Sequence, residues 1–316
     1  MPRLRVALAA AVAAVLPLAL TACGSADAEE SGGSSGSSEV TITHAQGDTT
    51  VPVSPEKVVV LDYGALDTID ALGVDGVVGV PQGSLPDFLS DYANDDVTDV
   101  GTLKEPDFEA IAGLEPDLII IGGRSAATYG ELSELAPTVD LTVDSTNFMA
   151  SFKESATSIG EIFDKADEVE TKLGEIDTKV EEVKADAAEG DNALLIMVSG
   201  GKLSAYGQGS RFGFIHDELG IPAADPNLAV DSHGQAISFE FIAQNNPQQI
   251  FVIDRDSAIG EDGAAAKQVL DNDLVNGTDA AKNDSVVYLS SARWYLVGAG
   301  LGNIPAMIDE VTGSGA

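Results

Sequence analysis

The chain has 316 residues, of which 44% are hydrophobic, so it is long enough for a sizeable core and suggests about two domains. It carries 52 acidic side chains against 16 basic ones, a formal net charge of -36. No basic face of such a chain could offset phosphates, which excludes a nucleic-acid partner, and an anionic membrane surface would repel it. Its single cysteine excludes a disulfide framework and thiolate metal clusters.

The first residues have the organisation of an export signal. A basic start, Met1–Arg5, precedes an apolar run, Val6–Leu20, which is shorter than the ~20 residues needed to span a bilayer. The only cysteine, Cys23, ends a Leu-Thr-Ala-Cys segment that resembles a bacterial lipobox, in which the cysteine is acylated; a plain secretory signal is the alternative. The Ser-, Gly- and Glu-rich stretch that follows is typical of a flexible tether. We predict a signal peptide at 1–22, a lipid-anchored spacer at 23–38, and export to the outer face of the cytoplasmic membrane.

Beyond the spacer, short apolar runs alternate with helical patterns. Uninterrupted apolar runs are typical of strands buried on both faces of a parallel sheet, and the segments between them have helical spacing. This alternation predicts an α/β fold. The predicted strands are 57–61, 77–80, 118–121, 194–198, 250–253 and 286–289, and the predicted helices include 66–72, 108–114, 239–244 and 264–270.

The middle of the chain has a longer helical pattern. From Phe152 to Val183 apolar residues recur at steps of three and four, which predicts one amphipathic helix over 151–188. It would be roughly 57 Å long at 1.5 Å per residue, and we interpret it as a strut that joins two lobes. A surface helix of one large domain is the alternative. The predicted organisation is two Rossmann-like lobes with a ligand cleft between them: an N-terminal lobe at 39–145, a linking helix at 146–190 and a C-terminal lobe at 191–316.

An internal match supports two lobes of similar design. The segment from Phe108 to Arg124 matches the segment from Phe239 to Arg255 at several positions, each 131 residues apart without a gap. Each copy has a helix that opens with Phe-Glu, a Pro break, a buried strand and an arginine just past that strand. The match places Glu109 and Glu240 at equivalent points of the two halves.

Arginine is rare in this chain, and its positions are informative. Arg124 and Arg255 follow predicted strands, and Arg211 lies in a Gly-rich turn that opens a helix. Ligands of open parallel sheets collect outside the carboxyl ends of the strands, so we expect the three guanidinium groups to face one cleft. Such forks suit carboxylate, phosphate or catecholate oxygens. The alternative is that each arginine pairs with a neighbouring aspartate.

The order and spacing of several motifs resemble the siderophore-binding lipoproteins of ABC importers. The similarity is to the petrobactin- and catecholate-binding branch of the substrate-binding proteins with a single long linking helix, and it runs from Asp48 to Glu310. The segments that carry it are Tyr63–Gly73, Lys104–Glu109, Gly209–His216, Ser232–Gln235 and Trp294–Leu296.

The resemblance implies roles for the strand-end residues. Arg124, Arg211 and Arg255 would bind catecholate oxygens of an anionic ferric siderophore complex. This complex would be the ligand of the protein, and no intrinsic cofactor is implied. His233 and Tyr295 would reach the iron when a tetradentate siderophore leaves two positions open, with the imidazole neutral and the phenol deprotonated. Tyr295 could instead be a core residue.

Further residues complete the implied site. Tyr63 and Tyr206 follow strands and would line the cleft, together with Trp294 beside the proposed iron ligand. Glu109 and Glu240, one on each lobe, would dock onto arginines of the membrane permease. The alternative for each glutamate is an ordinary carboxylate in the first turn of a helix, where the helix dipole favours it.

We therefore predict a monomeric, non-enzymatic receptor that captures a ferric siderophore and delivers it to an ABC permease. Because the linker is a helix, we expect the lobes to close by only a few degrees. A binder of haem, a hydroxamate siderophore or cobalamin on the same fold is an alternative, since a fold does not determine its ligand.

Other classes fit the sequence less well. A metal-ion binder would need several converging ligands, whereas the histidines are limited to His44, His216 and His233, and the position of His216 favours a packed side chain. An exported hydrolase would have a nucleophile and base in a recognised motif, which we do not find. A structural surface lipoprotein would not need three strand-end arginines.

Overall fold

The structure is a computed structural model that describes residues 38–187, 191–231, 233–261 and 264–314. Cys23, the predicted signal peptide and almost all of the predicted spacer lie outside the described residues. The described chain opens with an antiparallel hairpin of β1 (Glu39–His44) and β2 (Gly47–Pro52), which meet in the turn between His44 and Gly47.

A five-stranded parallel sheet follows the hairpin. Its strands are ordered fifth-fourth-third-sixth-seventh along the chain, and every neighbouring pair is parallel. The central strands are buried along their whole length, which explains their uninterrupted apolar sequences. In chain order the elements are β3 (Val58–Val60), α1 (Tyr63–Ala71), β4 (Val77–Val80), a 3₁₀ helix (Asp87–Tyr92), β5 (Thr98–Asp99), α2 (Phe108–Leu114), β6 (Leu118–Ile121), a 3₁₀ turn (Ala126–Thr128), α3 (Tyr129–Leu132) and β7 (Thr138–Asp140).

The segment predicted as one long helix contains two helices that fold back on each other. After a 3₁₀ turn (Ser145–Asn147), α4 (Phe148–Ile162) and α5 (Ala166–Ala187) are separated by a tight turn at Asp164, whose φ of 55° lies in the left-handed region. An ion pair of 2.6 Å joins Lys153 to Asp177 across the hairpin. The prediction of a continuous helix over 151–188 is therefore wrong, because the same three- and four-residue spacing describes one helix or two helices joined by a short turn.

The two helices pack on different parts of the molecule. A Cβ atom at Gly160 would lie 2.8 Å from Val169, so glycine lets the two helices approach closely beside the turn. Helix α4 packs on α1 and β1, whereas α5, about 33 Å long at 1.5 Å per residue, leads to the second sheet. A long helix thus connects the two sheets, although it is shorter than the predicted strut.

The second sheet is mixed. Its strands are ordered tenth-ninth-eighth-eleventh-twelfth, and the eighth, eleventh and twelfth are parallel while the ninth and tenth are antiparallel. The antiparallel part begins at a two-residue turn, Gly200-Gly201, where both φ angles are positive. In chain order the elements are β8 (Ala193–Ser199), β9 (Lys202–Tyr206), α6 (Phe214–Asp217), β10 (Gln235–Ile237), α7 (Phe239–Asn245), β11 (Gln249–Asp254), α8 (Arg255–Ala258), α9 (Ala266–Leu270), α10 (Asp273–Asn276), α11 (Asp279–Lys282), β12 (Val286–Tyr288), a π-helix (Ala292–Val297) and α12 (Asn303–Thr312).

The internal match corresponds to equivalent structure in both halves. Helices α2 and α7 are each followed by a central strand of their sheet, and each ends in a left-handed residue, Glu115 with φ 49° and Asn246 with φ 42°. These two residues are also 131 positions apart. Their N-caps, Asp107 and Ser238, accept backbone N–H groups of the first turn.

All six predicted strands are present. The two sheets, each with its helices, and the long helix between them confirm the predicted α/β fold class. The proposed boundaries of the lobes, 39–145 and 191–316, remain a proposal. We refer below to the first sheet with its helices as the first lobe and to the second sheet with its helices as the second lobe. Among the described helices, we find none that combines the length and apolar character needed to cross a bilayer.

Candidate ligand-binding site

A cavity of about 140 Å³ lies between the two lobes, beyond the carboxyl ends of their central strands. The first lobe contributes Arg124, which follows β6, and the second contributes Arg211, which follows β9. The segment from Trp294 to Gly300 forms a third wall. The apolar side chains that line the cavity include Phe148, Phe152, Phe212 and Val143.

Three arginines surround Tyr295, which lines this cavity; Arg124 and Arg211 line it too, whereas Arg255 is not among its lining residues. The centres of the guanidinium groups of Arg211, Arg124 and Arg255 lie 4.5, 5.4 and 5.9 Å from the ring centre of Tyr295. Arg255 Nε donates to the Tyr295 hydroxyl at 3.2 Å, and Arg211 donates to the Tyr295 carbonyl oxygen at 3.0 Å. Arg124 donates to the same carbonyl oxygen and to that of Leu296 at 3.1 Å. The structure thus brings together the three arginines that the sequence places at separate strand ends.

The charges of this cluster change the acidity of its members. Burial tends to raise the pKa of the Tyr295 hydroxyl, but the hydrogen bond from Arg255 and the charges of Arg211 and Arg255 outweigh it, so that the pKa lies below that of an ordinary tyrosine. Burial lowers the pKa of the Arg124 guanidinium, and the neighbouring charge of Arg211 acts in the same direction. The hydrogen bond to Tyr295 raises the pKa of Arg255. The arrangement therefore favours a phenolate at Tyr295.

The alternative in which each arginine pairs with an aspartate holds for only one of the three. Arg255 lies 3.2 Å from Glu261 and 3.5 Å from Asp256. Among the described residues, the hydrogen bonds of Arg124 and Arg211 go to carbonyl oxygens, and neither side chain forms an ion pair with a carboxylate. No ion pair among the described residues therefore neutralises these two arginines, although Asp62 lines the same cavity and acts electrostatically on Arg124.

Comparison with known proteins identifies the fold to which this cleft belongs. A family model described as periplasmic binding protein matches residues 58–292, which is most of the chain. This chain belongs to the periplasmic binding protein family. Proteins of this family are extracytoplasmic binding proteins that work with ABC transporters.

Individual relatives cover nearly the whole of this periplasmic binding protein. It is 46% identical to the petrobactin-binding protein YclQ of Bacillus subtilis over 95% of its own length and 96% of the relative's. It is 34% identical to the ferric-anguibactin-binding protein FatB of Vibrio anguillarum, with 86% of each chain covered. These relatives are binding proteins, which confirms the prediction of a non-enzymatic protein.

Solved structures agree with the sequence relatives. The crystal structure of YclQ superposes with a TM-score of 0.85 at 48% identity, covering 87% of this chain and 98% of that one. The periplasmic catecholate-siderophore binding protein VctP of Vibrio cholerae superposes with a TM-score of 0.82 at 34% identity, covering 87% and 100%. The architecture of two lobes around a cleft is therefore that of this family.

Two of the predicted cleft tyrosines are packed in the core of this binding protein. Tyr63 is fully buried, and its hydroxyl donates to the carbonyl oxygen of Pro81 at 2.8 Å. Tyr206 is also buried and lies edge-on against Phe212, with ring centres 4.7 Å apart; burial raises its pKa to about 12. Neither side chain is among those that line the cavity.

His233 lies on the surface rather than in the cavity. Its side chain is 93% exposed, its Nδ1 lies 3.6 Å from Asp231, and its backbone N–H donates to the same carboxylate at 2.7 Å. The preceding Ser232 of the motif lies outside the described residues. Tyr295, the second predicted iron ligand, does line the cavity. The structure therefore does not bring His233 and Tyr295 together as lining residues of one cavity.

Trp294 has the position predicted for it beside the site. It is buried, lines the cavity, donates its indole N–H to Glu310 at 2.9 Å and contacts the ring of Phe214 at 6.2 Å between centres. Its fluorescence is therefore suited to report changes at the neighbouring Tyr295.

The other two histidines take part in packing. His216 is buried and its Nδ1 lies 2.8 Å from the carbonyl oxygen of Ile221, and burial lowers its pKa. His44 lies 2.8 Å from the Thr49 hydroxyl and against the ring of Tyr129. Within the described ranges, no three His, Cys, Asp or Glu side chains are grouped so as to hold a metal ion.

The Gly-rich turn before α6 is stabilised by hydrogen bonds to groups within the turn and in α6. The N–H of Gly209 donates to Asp217 at 2.7 Å, and the Ser210 hydroxyl donates to Gly207 at 2.6 Å. The N–H of Gly209 is therefore used by Asp217 and does not face a ligand. What the turn contributes to the cavity is the side chain of Arg211.

Glu109 and Glu240 occupy the positions that the internal match gives them. Both are exposed in the first turn of their helices, α2 and α7. The side-chain hydrogen bond with Ser238 lowers the pKa of Glu240. The same position on each lobe carries an exposed carboxylate, as docking would require.

One charged group and two aromatic side chains of the site are not among the residues predicted for it. Asp62 caps α1 by accepting the N–H groups of Gly64 and Ala65 at 2.9 Å, and it lines the cavity. Burial raises its pKa, against the opposing effect of the backbone hydrogen bonds and of Arg124. A capping aspartate between a strand and a helix is a recognisable signal, whereas Phe148 and Phe152 lay within the segment assigned to the linking helix.

Proposed function

We propose that this chain captures an anionic ferric siderophore of the catecholate or mixed catecholate type and delivers it to an ABC permease. The observation that carries the proposal is the cluster of Arg124, Arg211 and Arg255 around the Tyr295 ring. Relatives named for petrobactin, ferric anguibactin and catecholate siderophores support it.

The arginines suit a multiply charged ligand. In a chain with a formal charge of -36, three guanidinium groups at one cleft form a local positive site that attracts anions. Arg124 and Arg211 are held by carbonyl oxygens rather than by carboxylates, so that no ion pair competes with the ligand for them among the described residues. Catecholate oxygens arrive in adjacent pairs, which match the paired N–H groups of a guanidinium fork.

Tyr295 suits contact with the iron itself. A phenolate is a favourable ligand for Fe(III), and the neighbouring arginines already lower the pKa of this hydroxyl. A tetradentate siderophore would leave two coordination positions, one for Tyr295 and one for His233. The His233 side chain is exposed and is not among the residues that line the cavity, so we assign it to the iron only in the ligand-bound protein.

The present cavity is too small to enclose a siderophore. Its volume of about 140 Å³ falls below the ~300 Å³ at which ordinary ligand pockets begin. Arg255 is not among the residues that line this cavity; it donates to the Tyr295 hydroxyl at 3.2 Å and to Glu261 at 3.2 Å. We infer that a ligand enlarges the site by drawing Arg255 away from Tyr295 and Glu261 into contact with catecholate oxygens, while Arg124 and Arg211 keep their carbonyl contacts.

Quenching of Trp294, the single tryptophan, tests the proposal. A soluble protein without the leader and Cys23 would be titrated with a ferric catecholate, a ferric hydroxamate and haem. We expect saturable quenching by the catecholate, and a loss of affinity of about tenfold or more in Arg124→Ala, where a charge-assisted contact is removed. Lys202→Ala, which removes the same charge from an exposed strand end, is the matched control.

Each outcome discriminates between ligand classes. Preference for the hydroxamate, haem or a corrinoid would keep the binding role and overturn the catecholate assignment. An equal loss in Arg124→Ala and Lys202→Ala would attribute the effect to overall charge rather than to the cluster. An unchanged Trp294 fluorescence with every ligand would contradict the binding role.

The remaining parts of the proposal concern delivery. Glu109 and Glu240 would contact basic residues of the permease, one from each lobe, and the protein would act as a monomer. Acylation at Cys23 would anchor it outside the cytoplasmic membrane, and relatives named as lipoproteins support this. Cys23→Ser should move the protein from the membrane fraction to the soluble fraction.

A further inference from the structure

The segment that carries Tyr295 crosses from the second lobe to the first. We call residues 292–303, which lead from β12 to the start of α12, the strap. Its backbone N–H groups at Gly302 and Asn303 both donate to Asp67 on α1 at 2.8 Å, and that of Leu301 donates to the Thr68 hydroxyl at 3.3 Å. Asp67 is only 4% exposed, so these bonds form in a buried joint between the lobes.

The backbone of the strap packs directly on α1 and on its Asp67 side chain. A Cβ atom at Gly300 would lie 2.2 Å from Asp67 Oδ1, and one at Gly64 would lie 2.4 Å from the carbonyl oxygen of Ala299. Gly300 also has a φ of 158°, and glycine at both positions permits the contact. The strap is therefore fixed to the first lobe by backbone contact.

Asn303 connects this joint to the π-helix that carries Tyr295. Its buried side chain donates to the carbonyl oxygens of Arg293 at 3.1 Å and Gly298 at 2.9 Å, one at each end of the π-helix. It also accepts from Arg293 at 3.1 Å. The N–H of Gly298 closes the π-helix on Arg293 at 2.7 Å. One amide group therefore fixes both ends of the turn.

The π-helix supplies the carbonyl oxygens that accept hydrogen bonds from two arginines of the site. The carbonyl oxygens of Tyr295 and Leu296 receive Arg124, and that of Tyr295 also receives Arg211. A displacement of the turn would move these acceptors together with the Tyr295 ring. The arrangement of the site thus depends on residues that do not line its cavity.

We infer that Asp67 and Asn303 are positioning residues for the arginine–tyrosine site, which fix the strap so that Arg124, Arg211 and Tyr295 are preorganised for the ligand. The inference rests on the proposed function for its consequence in affinity. Supporting groups of this kind typically set how accurately contacting groups are held.

The acceptor oxygen of Asp67 fits this role. Helix α12 has ten residues and no capping side chain of its own at Gly302, so the Asp67 carboxylate satisfies N–H groups at its start from another element. The charged groups that face Asp67 are Asp70 on its own helix and Arg293 on the strap. Arg293 also lies over the ring of Phe88 in the first lobe, 4.1 Å from its centre, which strengthens the same joint.

Amide hydrogen exchange of the ligand-free protein tests the positioning directly. In Asn303→Ala and Asp67→Ala we expect faster exchange across 292–303, above all at Gly298, while the strands of both sheets keep their protection. Asp67→Asn retains an oxygen acceptor of the same shape and should restore the slow exchange. Asp75→Asn, which changes an exposed carboxylate just beyond the end of α1, is the matched control and should change nothing in the strap.

Affinity for a ferric catecholate provides the second measurement. We expect Asn303→Ala to weaken binding by about tenfold or more, as loss of a supporting group typically does, and Asp67→Asn to bind nearly as the parent protein does. If Asp67→Ala does not fold, Asn303→Ala decides, because it leaves the bonds between Asp67 and the strap backbone in place. Exchange and affinity both unchanged in a folded Asn303→Ala protein would overturn the inference.

The two measurements separate this inference from the proposed function. Faster exchange in the strap without any binding by the parent protein would contradict the siderophore assignment while supporting the joint. Normal binding by the parent protein with unchanged exchange in both alanine variants would retain the function and overturn the positioning role.

Discussion

The guanidinium of Arg124 lies 5.4 Å from the ring centre of Tyr295 and donates to the carbonyl oxygen of the same residue, although 171 positions separate the two. Arg124 follows a strand of the first lobe, and Tyr295 belongs to the strap of the second. The binding site is therefore formed by residues of both lobes. A ligand bound at this contact acts on the joint between the lobes.

Replacing Tyr295 with phenylalanine should remove a distinct iron signal. A phenolate bound to Fe(III) absorbs visible light, so a complex with a tetradentate ferric catecholate should have a charge-transfer band in the parent protein that is absent from Tyr295→Phe. Visible absorption difference spectra measure this. Affinity should fall by about tenfold, as the loss of one ligand or hydrogen-bond partner implies.

A hexadentate ferric siderophore provides the control for this experiment. It leaves no coordination position for the protein, so the parent protein and Tyr295→Phe should give the same spectrum with it. Tyr129→Phe, a partly exposed tyrosine that contacts His44, should keep the band with the tetradentate ligand. An unchanged band in Tyr295→Phe would show that iron is not bound through this residue.

Asp67 should make the stability of the protein depend on pH. Burial raises its pKa to about 6, and hydrogen bonds from Asn303 and Gly302 oppose the shift only in part. The folded state therefore holds this proton more tightly than the unfolded chain does. Its contribution to stability is fully present below the unfolded pKa of 3.8 and is lost as the pH rises through about 6.

Asp67→Asn isolates this contribution because its side chain does not titrate. The free energy of unfolding of the parent protein relative to Asp67→Asn should fall by up to about 3 kcal/mol between pH 4 and pH 7.5, at roughly 1.4 kcal/mol for each unit of pKa difference. Urea unfolding of both proteins across this range gives the difference. A constant difference at every pH would mean that Asp67 has the same pKa in both states.

Loss of the two exposed glutamates should affect delivery without affecting capture. Glu109→Ala and Glu240→Ala are each expected to reduce siderophore uptake several-fold, and the double variant more strongly, because each lobe would lose one charged contact with the permease. Ligand affinity, measured by Trp294 quenching, should stay unchanged. Glu131→Ala removes the same exposed charge from another first helical turn and should leave uptake intact; an equal effect there would point to overall charge.

Ligand binding should change the overall dimensions only slightly. Helix α5 is tied to α12 by an ion pair of 2.6 Å between Lys179 and Asp309, and the strap connects the lobes a second time. The radius of gyration from small-angle scattering should change by no more than about 1 Å from the roughly 19 Å expected for a compact chain of this length. A large contraction with ligand, absent in Arg124→Ala, would contradict this and indicate a wide hinge.

Local patterns in the sequence predicted much of the architecture. The apolar run at Leu118–Ile121 and the capped helix at Phe108–Leu114 are governed by neighbours within a few residues, and so their type and limits could be inferred. The strand-end positions of Arg124 and Arg255 followed from the same patterns, because the carboxyl ends of parallel strands share one edge of a sheet.

The helical hairpin shows where periodicity stops being informative. Residues 148–187 keep their three- and four-residue spacing through the turn, so nothing in the pattern of apolar residues marks the break at Asp164. The break follows from packing, since α4 must cover the first lobe while α5 reaches the second.

By itself, the sequence determined the class of fold, the acidic character and the arginines at strand ends, since each depends on composition or on residues close together in the chain. Only the tertiary structure decided that Tyr63 and Tyr206 are core residues, that His233 lies on the surface, and that the Tyr295 carbonyl holds two arginines. Those outcomes depend on which distant segments meet. The meeting of Asp67 with Asn303, 236 positions away, has no local signal, because burial and backbone hydrogen bonding arise only when both lobes have formed.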